Sequence, residues 1–309
     1  MMECMDVITL RAVFMAREEG RLPPYLGSTV RGILGHCIRE FVCNTPLVKC
    51  FKCPGRQECL YVRCFSNTGG EVGAINPYTL YVHTQGKTEW NPGDMCTFDL
   101  TLFGRAAFSA RVYLDALMKM ERKGWGASRL AFQLVSITEP DTGALIYGGG
   151  KCWANNLQPH SMKIGEQRAE TVLITFNTPL RIVSGGKLFQ SLSFEMLVRF
   201  LYGRLERMGY LYGDGVMPWN EEELKEKAAG IAVRDEAWQE VDFSRYSMTQ
   251  KGNRVELPAR LGWVMYEGEL SSFTGFLQAG RYAHVGKSAT IGFGHYEMAV
   301  DGEERRCEW

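Results

Sequence analysis

The sequence predicts an α+β chain built from two tandem βαββαβ domains. Three observations lead there. Apolar alternation and helical stripes follow one another in the order β-α-β-β-α-β across the first half of the chain. The second half repeats that order, and a polar, glycine-containing stretch at residues 148–166 separates the two. The domains are therefore placed at 1–165 and 166–309, and 309 residues suffice for two cores.

Each element has its own signal. Asp6–Ala16 is rich in β-branched and aromatic residues and reads as the first strand. After a turn at 20–28 (GRLPPYLGS), Thr29–Val42 reads as a helix with Ser28 as its N-cap. Val30, Ile33, Leu34, Cys37, Ile38 and Phe41 recur at helical spacing as its apolar stripe. A cysteine-rich insertion occupies 44–73. Tyr78–Thr84 and Met95–Phe103 read as strands, Ala107–Lys123 as an amphipathic helix and Leu130–Thr138 as the closing strand. In the second half, Thr171–Val183 is a strand, Leu192–Met208 a helix, and Asp242–Thr249 with Leu257–Glu269 a hairpin. Ser272–Ala279 is a short helix, Ala289–Val300 the last strand, and the acidic helical stretch Glu221–Ala229 an insertion. This is the ferredoxin-like, or RRM-like, order written twice. A fold of this kind does not by itself fix a function.

Composition narrows the class. With 45% hydrophobic and 23% charged residues the chain is neither disordered nor a disulfide miniprotein, and no run approaches the ~18 apolar residues of a membrane span. Ten cysteines behind an N-terminus with no export signal imply a reducing cytoplasm. Thirty-five basic residues balance 35 acidic ones, so bulk charge does not announce a nucleic-acid binder. Much of the acidity lies in Asn220–Asp242, with eight acids against three bases; the remainder carries +5, enough for a local basic surface.

Three constellations could carry chemistry. His36 points roughly 130° away from the apolar stripe of its helix. Thr29, Gly32 and Glu40 share that face, with Arg39 one turn on. Its position suits either acid–base work or RNA contact, or a merely solvated histidine. Of the other histidines, His83 and His295 fall on expected strands, where structural roles are ordinary, while His160 and His284 lie between elements. The second constellation is the glycine-rich loop 283–294 (AHVGKSATIGFG). Five residues separate Gly280 from Gly286, not the four of a P-loop, and Lys287 leads into a strand pattern, so nucleotide hydrolysis is set aside. Its glycines, N–H groups and cation suit a backbone phosphate, or else simply a turn into an edge strand. The third is Cys50, Cys53, Cys59 and Cys64: four thiols within fifteen residues could hold a structural Zn²⁺, or remain free. The same cysteines also suit an iron–sulfur cluster. No serine triad, HExxH helix, carboxylate pair or dinucleotide loop is present.

Together these segments resemble one RAMP-type group of CRISPR-associated endoribonucleases, the enzymes that cut precursor CRISPR RNA within its repeats. The resemblance is carried by Leu22–His36 (LPPYLGSTVRGILGH), the cysteine cluster, Thr178–Arg181, Arg245–Ser247 and the loop from His284-Val-Gly-Lys287 to Gly292-Phe-Gly294. It implies two ferredoxin-like domains with RNA on a basic face. It also implies metal-independent cleavage, in which the ribose 2′-OH attacks the adjacent phosphate and leaves a 2′,3′-cyclic phosphate and a 5′-OH. His36 then falls where such enzymes place a catalytic histidine or tyrosine and would be the general base. Lys287 and Arg39 would stabilise charge on the phosphorane. Arg31, Arg39, Arg245, His284, Gly286, Ser288, Gly292 and Gly294 would contact RNA. Gly35 stands where some members have a tyrosine, which leaves the general acid unassigned, with His284 the nearest suggestion. The expected partners are CRISPR repeat RNA and its mature product, with other subunits of an effector complex beside them, and no membrane; catalysis is expected to need no cofactor. A noncatalytic RNA-binding subunit on the same fold is the main alternative, and a zinc-stabilised RNA-binding protein unrelated to CRISPR a third.

Overall fold

The computed structural model describes residues 5–66, 75–213, 218–246 and 254–301. They form two compact units, 5–66 and 75–161 with 210–213, and 162–209 with 218–246 and 254–301.

In the first unit, β1 (Asp6–Ala16) is followed by α1 (Gly27–Val42), β2 (Tyr78–Val82), β3 (Met95–Phe103), α2 (Ala110–Met120) and β4 (Phe132–Glu139). The antiparallel sheet runs β2-β3-β1-β4, the order expected when each helix carries the chain across an intervening strand. Alternation along β1 sends Ile8, Leu10, Ala12 and Phe14 into one core with Leu34, Cys37 and Ile38 of α1 and Leu114 and Leu117 of α2. On the opposite face Thr9 and Thr101 join hydroxyls at 3.0 Å. Beside them Asp99 takes both Arg11 donors at 2.8 Å and His83 Nε2 at 3.0 Å. Burial pushes the Asp99 carboxyl up, but these partners outweigh it and hold the group below its usual range.

Several boundaries differ from the sequence reading. α1 starts at Gly27, and its N-cap is Leu26, not Ser28, whose Oγ is buried inside the helix without a partner. The second helix is entered through a 3₁₀ segment, Gly104–Ser109. The polar stretch expected to separate the domains contributes strands: beyond β4 the sheet continues through β5 (Ala144–Gly148), just before that stretch, to β6 (Lys151–Cys152) within it, and β7 (His160–Ser161) pairs with Val7 and Asp6 of β1. Short polar strands carry too little alternation to be seen in sequence.

The second unit repeats the topology with β8 (Thr171–Leu180), α3 (Phe194–Tyr212), α4 (Glu221–Ala228), β9 (Ala232–Tyr246), β10 (Arg254–Glu267), α5 (Thr274–Ala283) and β11 (Tyr296–Val300). Its sheet order, β9-β10-β8-β11, is that of the first. Two buried tyrosines fasten helix-side carbonyls to this sheet: Tyr266 donates to Leu192 O at 2.9 Å and Tyr296 to Leu277 O at 2.6 Å. The inserted α4 is capped by Asn220, whose side chain accepts from Glu223 N. The hairpin begins ten residues earlier than expected, so half of the acidic segment is strand. The last strand is shorter than expected, because Ser288, Gly292 and Gly294 take left-handed conformations (φ 72°, 97° and 72°) that break it. Among the described residues, no helix is long and apolar enough to cross a membrane.

Candidate functional site

On α1 the apolar stripe buries Val30, Leu34, Cys37 and Ile38, and this rotation leaves His36 exposed. Gly32, one turn before it, is also exposed, and a Cβ there would touch nothing, so imidazole and bare backbone share an open strip. Glu40, one turn after, is clasped by Lys119 at 2.6 Å and by Lys123 at 2.5 Å; these bonds hold its carboxyl down to about 2. The acid beside His36 is thereby offset by two cations.

The basic residues of α1 have structural partners. Arg31 donates to Tyr78 Oη (3.1 Å) and to Phe65 O (3.2 Å), with its guanidinium 4.8 Å from the Phe65 ring centre. Arg39 donates to Pro46 O at 3.0 Å. Both therefore fasten the cysteine-rich segment to the helix. Phe65 enters the notch at Gly35, where a Cβ would overlap its ring, and stacks on Tyr78 and Tyr61. Glycine at position 35 is thus a packing requirement, a relation invisible without the long-range contact.

The four cysteines of this segment share one loop but do not converge. Among the described residues, the one group of three or more ligand atoms drawn together within 4.8 Å lies elsewhere. Cys53 Sγ meets Thr45 Oγ1 at 3.3 Å, and burial pushes the Cys64 thiol up. As placed, the thiols do not fit a tetrahedral ion, and no role is derived from one. Residues 67–73 of the insertion lie outside the described residues.

In the second unit the glycine-rich loop rests on the end of β8. Lys287 N donates to Arg181 O (2.9 Å), Gly294 N to Pro179 O (3.0 Å), and His295 N to Thr178 Oγ1 (2.9 Å). The two motifs noted separately in sequence, Thr178–Arg181 and 283–294, are therefore one structure. Pro179 is tolerated because the β8–β10 register shifts there. A Cβ at Gly286 or Gly294 would strike the carbonyl of Arg181 or of Val285. Lys287 is exposed, while Gly286 and Ser288 are half-buried and Gly292 is buried.

His284 is 2% exposed. Its Nδ1 lies 3.0 Å from Phe293 O, and burial, with His295 and Arg204 nearby, holds its pKa well below the ordinary value. A neutral, enclosed imidazole bonded across the loop fastens it, and this burial lends no support to the expected roles of general acid and RNA contact. Arg204, unnoticed in sequence, supports the loop from α3 by donating to Ala283 O. Arg245 pairs with Val255 near the hairpin tip. Its side chain, and Ser247, lie outside the described residues.

Two units of β2-β3-β1-β4 type, the second bearing a glycine-rich loop braced on its first strand, make a tandem ferredoxin-like protein. The AF_1859_N family, described as an N-terminal domain, matches residues 5–162, just over half of the chain, and the CRISPR-associated endoribonuclease Cas6 family matches residues 174–296. The chain belongs to the first family, and its second half matches the Cas6 model. An uncharacterized protein of Archaeoglobus fulgidus is 21% identical over 269 residues, covering 82% of this chain and 90% of that protein. Thermus thermophilus Cas6 has the same fold, with a TM-score of 0.58 at 12% identity over 96% of this chain and 99% of that one. A chain of a partial Cas6-RT-Cas1–Cas2 complex gives 0.63 at 10% identity over 97% of this chain; this chain spans 47% of the length of that one.

Proposed function

We propose that this protein is a metal-independent endoribonuclease that cuts precursor CRISPR RNA at one site within each repeat. The observation that carries the reading is His36, exposed on an open helical strip in a chain whose second half matches the Cas6 family. In the proposed reaction His36 takes the proton of the ribose 2′-OH. The 2′-oxygen attacks phosphorus, the P–O5′ bond breaks, and the departing 5′-oxygen takes up a proton. The products are a 2′,3′-cyclic phosphate and a 5′-OH. Lys287, exposed on its loop, is the candidate for offsetting phosphorane charge, and Arg39 the second candidate through whatever donors its bond to Pro46 leaves. The buried His284 takes no part in proton transfer. Repeat RNA is the proposed partner. Association with other CRISPR proteins is proposed from the complex in which a chain of this fold occurs.

Cleavage of the host's own repeat RNA in excess EDTA tests this. Wild type is expected to give one cut with a cyclic phosphate end, and His36→Ala to lose roughly 10²–10⁴-fold in rate while retaining RNA binding. A cut unchanged in His36→Ala would remove the residue from the chemistry. The second reading, a noncatalytic subunit that binds CRISPR RNA, is favoured by one observation, the burial of the histidine nearest to a general-acid role. Tight, repeat-specific binding with no cut by wild type would establish it.

A further inference from the structure

One cluster in the first unit, away from α1, has the donor set of a metal site. Glu139 closes β4, Asp141 lies in the turn from β4 to β5, and His160 opens β7. Pairing of β7 with β1 brings His160 back beside that turn, so that one ligand atom from each residue lies within 4.8 Å of the others. His160 Nε2 is 3.4 Å from Glu139 Oε1 and 3.8 Å from Asp141 Oδ2. Bonds of ~2.0–2.2 Å to a tetrahedral ion set its ligands about 3.3–3.6 Å apart. A charge-assisted hydrogen bond would instead draw nitrogen and oxygen to ~2.7–2.9 Å.

The second observation is what these atoms lack. Glu139 is 1% exposed, and its Oε1 is buried without a hydrogen-bond partner, as is His160 Nε2. The other Glu139 oxygen accepts from Thr142 N at 2.6 Å, which fixes the carboxylate with Oε1 toward the cluster. His160 Nδ1 lies 3.0 Å from Ser161 O. A carbonyl can only accept, so Nδ1 carries a proton and Nε2 is the ring nitrogen that faces the two carboxylates, free to offer its lone pair to an ion. A backbone carbonyl that fixes the tautomer in this way is the usual support of a metal-binding histidine. Arg11 interacts with Asp141, but its guanidinium is held in a two-pronged pair by Asp99.

We propose that Glu139, Asp141 and His160 bind one divalent transition-metal ion of the zinc class, which clamps β7 to the β4–β5 turn. One imidazole and two carboxylates suit zinc or its borderline neighbours. The ion's role is structural, and the inference does not depend on the ribonuclease reading.

Cobalt(II) is the probe, added to metal-stripped full-length chain and then displaced with zinc. Wild type is expected to show visible d–d absorption saturating at one equivalent. That signal should persist in Cys53→Ser and disappear in Asp141→Asn and His160→Gln. Zinc should raise the Tm of wild type and leave that of Asp141→Asn unchanged. Asp141 is partly exposed at the turn, so its variant carries the test should His160→Gln not fold. The proposal is overturned by three results: no cobalt spectrum in wild type, a spectrum made only of thiolate charge-transfer bands that vanish in Cys53→Ser, or d–d bands unchanged in Asp141→Asn. The first of these would mean a metal-free His160–Glu139 ion pair.

Discussion

His36 lies within one helix and His284 caps the end of another, and burial separates what the two imidazoles can do. His36 stands in solvent beside an unobstructed Gly32, whereas His284 is enclosed and bonded to Phe293 O. Because the folded-state pKa of His284 is lowered, its neutral form stabilises the fold above the unfolded value of about 6.5. That contribution is lost as pH falls below it. His284→Asn keeps a donor at the Nδ1 position and tolerates the positive φ of 59°. Urea unfolding of this variant is therefore expected to lose less stability between pH 7 and pH 5 than wild type, and equal slopes would contradict the assignment. Gly294→Ala meets both a positive φ and the Val285 carbonyl, so it should cost about 1–3 kcal/mol or more in the same measurement.

Helix α1 is held by contacts that its own sequence does not display. Glu40 ties it to α2 through Lys119 and Lys123, and its lowered carboxyl makes the direction plain. The clasp is complete above the unfolded value of 4.5 and is lost as pH falls toward about 2. Glu40→Gln is expected to match wild type near pH 2 and to lie below it at pH 7 by a small margin, since the pair is exposed, which flattens the acid end of the stability profile. On the other side of the helix, Gly35→Ala should expel the Phe65 ring and release the cysteine-rich segment. Faster limited proteolysis within 44–66, with the sheet intact by circular dichroism, is the expected result. Helical periodicity found α1 to within two residues, yet it predicted neither the Gly35 notch nor the Arg31 anchor, because both depend on a loop about thirty residues away in the chain.

Across the whole molecule, the balance of 35 basic and 35 acidic residues limits what electrostatics can supply. RNA affinity should come from few phosphate contacts and fall only gently with salt; a log–log slope as steep as that of 6–10 contacts would show a basic surface larger than the sequence suggests. The four-cysteine loop gives a second whole-chain test. With its thiols apart, all four are expected to react with a thiol reagent without releasing zinc.

The order of strands and helices, its repetition and the exposed face of His36 were all present in the sequence. They depend on periodicity and on backbone freedom, which are local properties. Tertiary structure decided the rest. It buried His284, gave Arg31 and Arg39 to the cysteine-rich segment, joined Thr178–Arg181 to the glycine-rich loop and folded β7 back so that His160 meets Glu139. Each of these relations joins groups distant in the chain or depends on enclosure from several sides, and no local pattern encodes which partner will arrive.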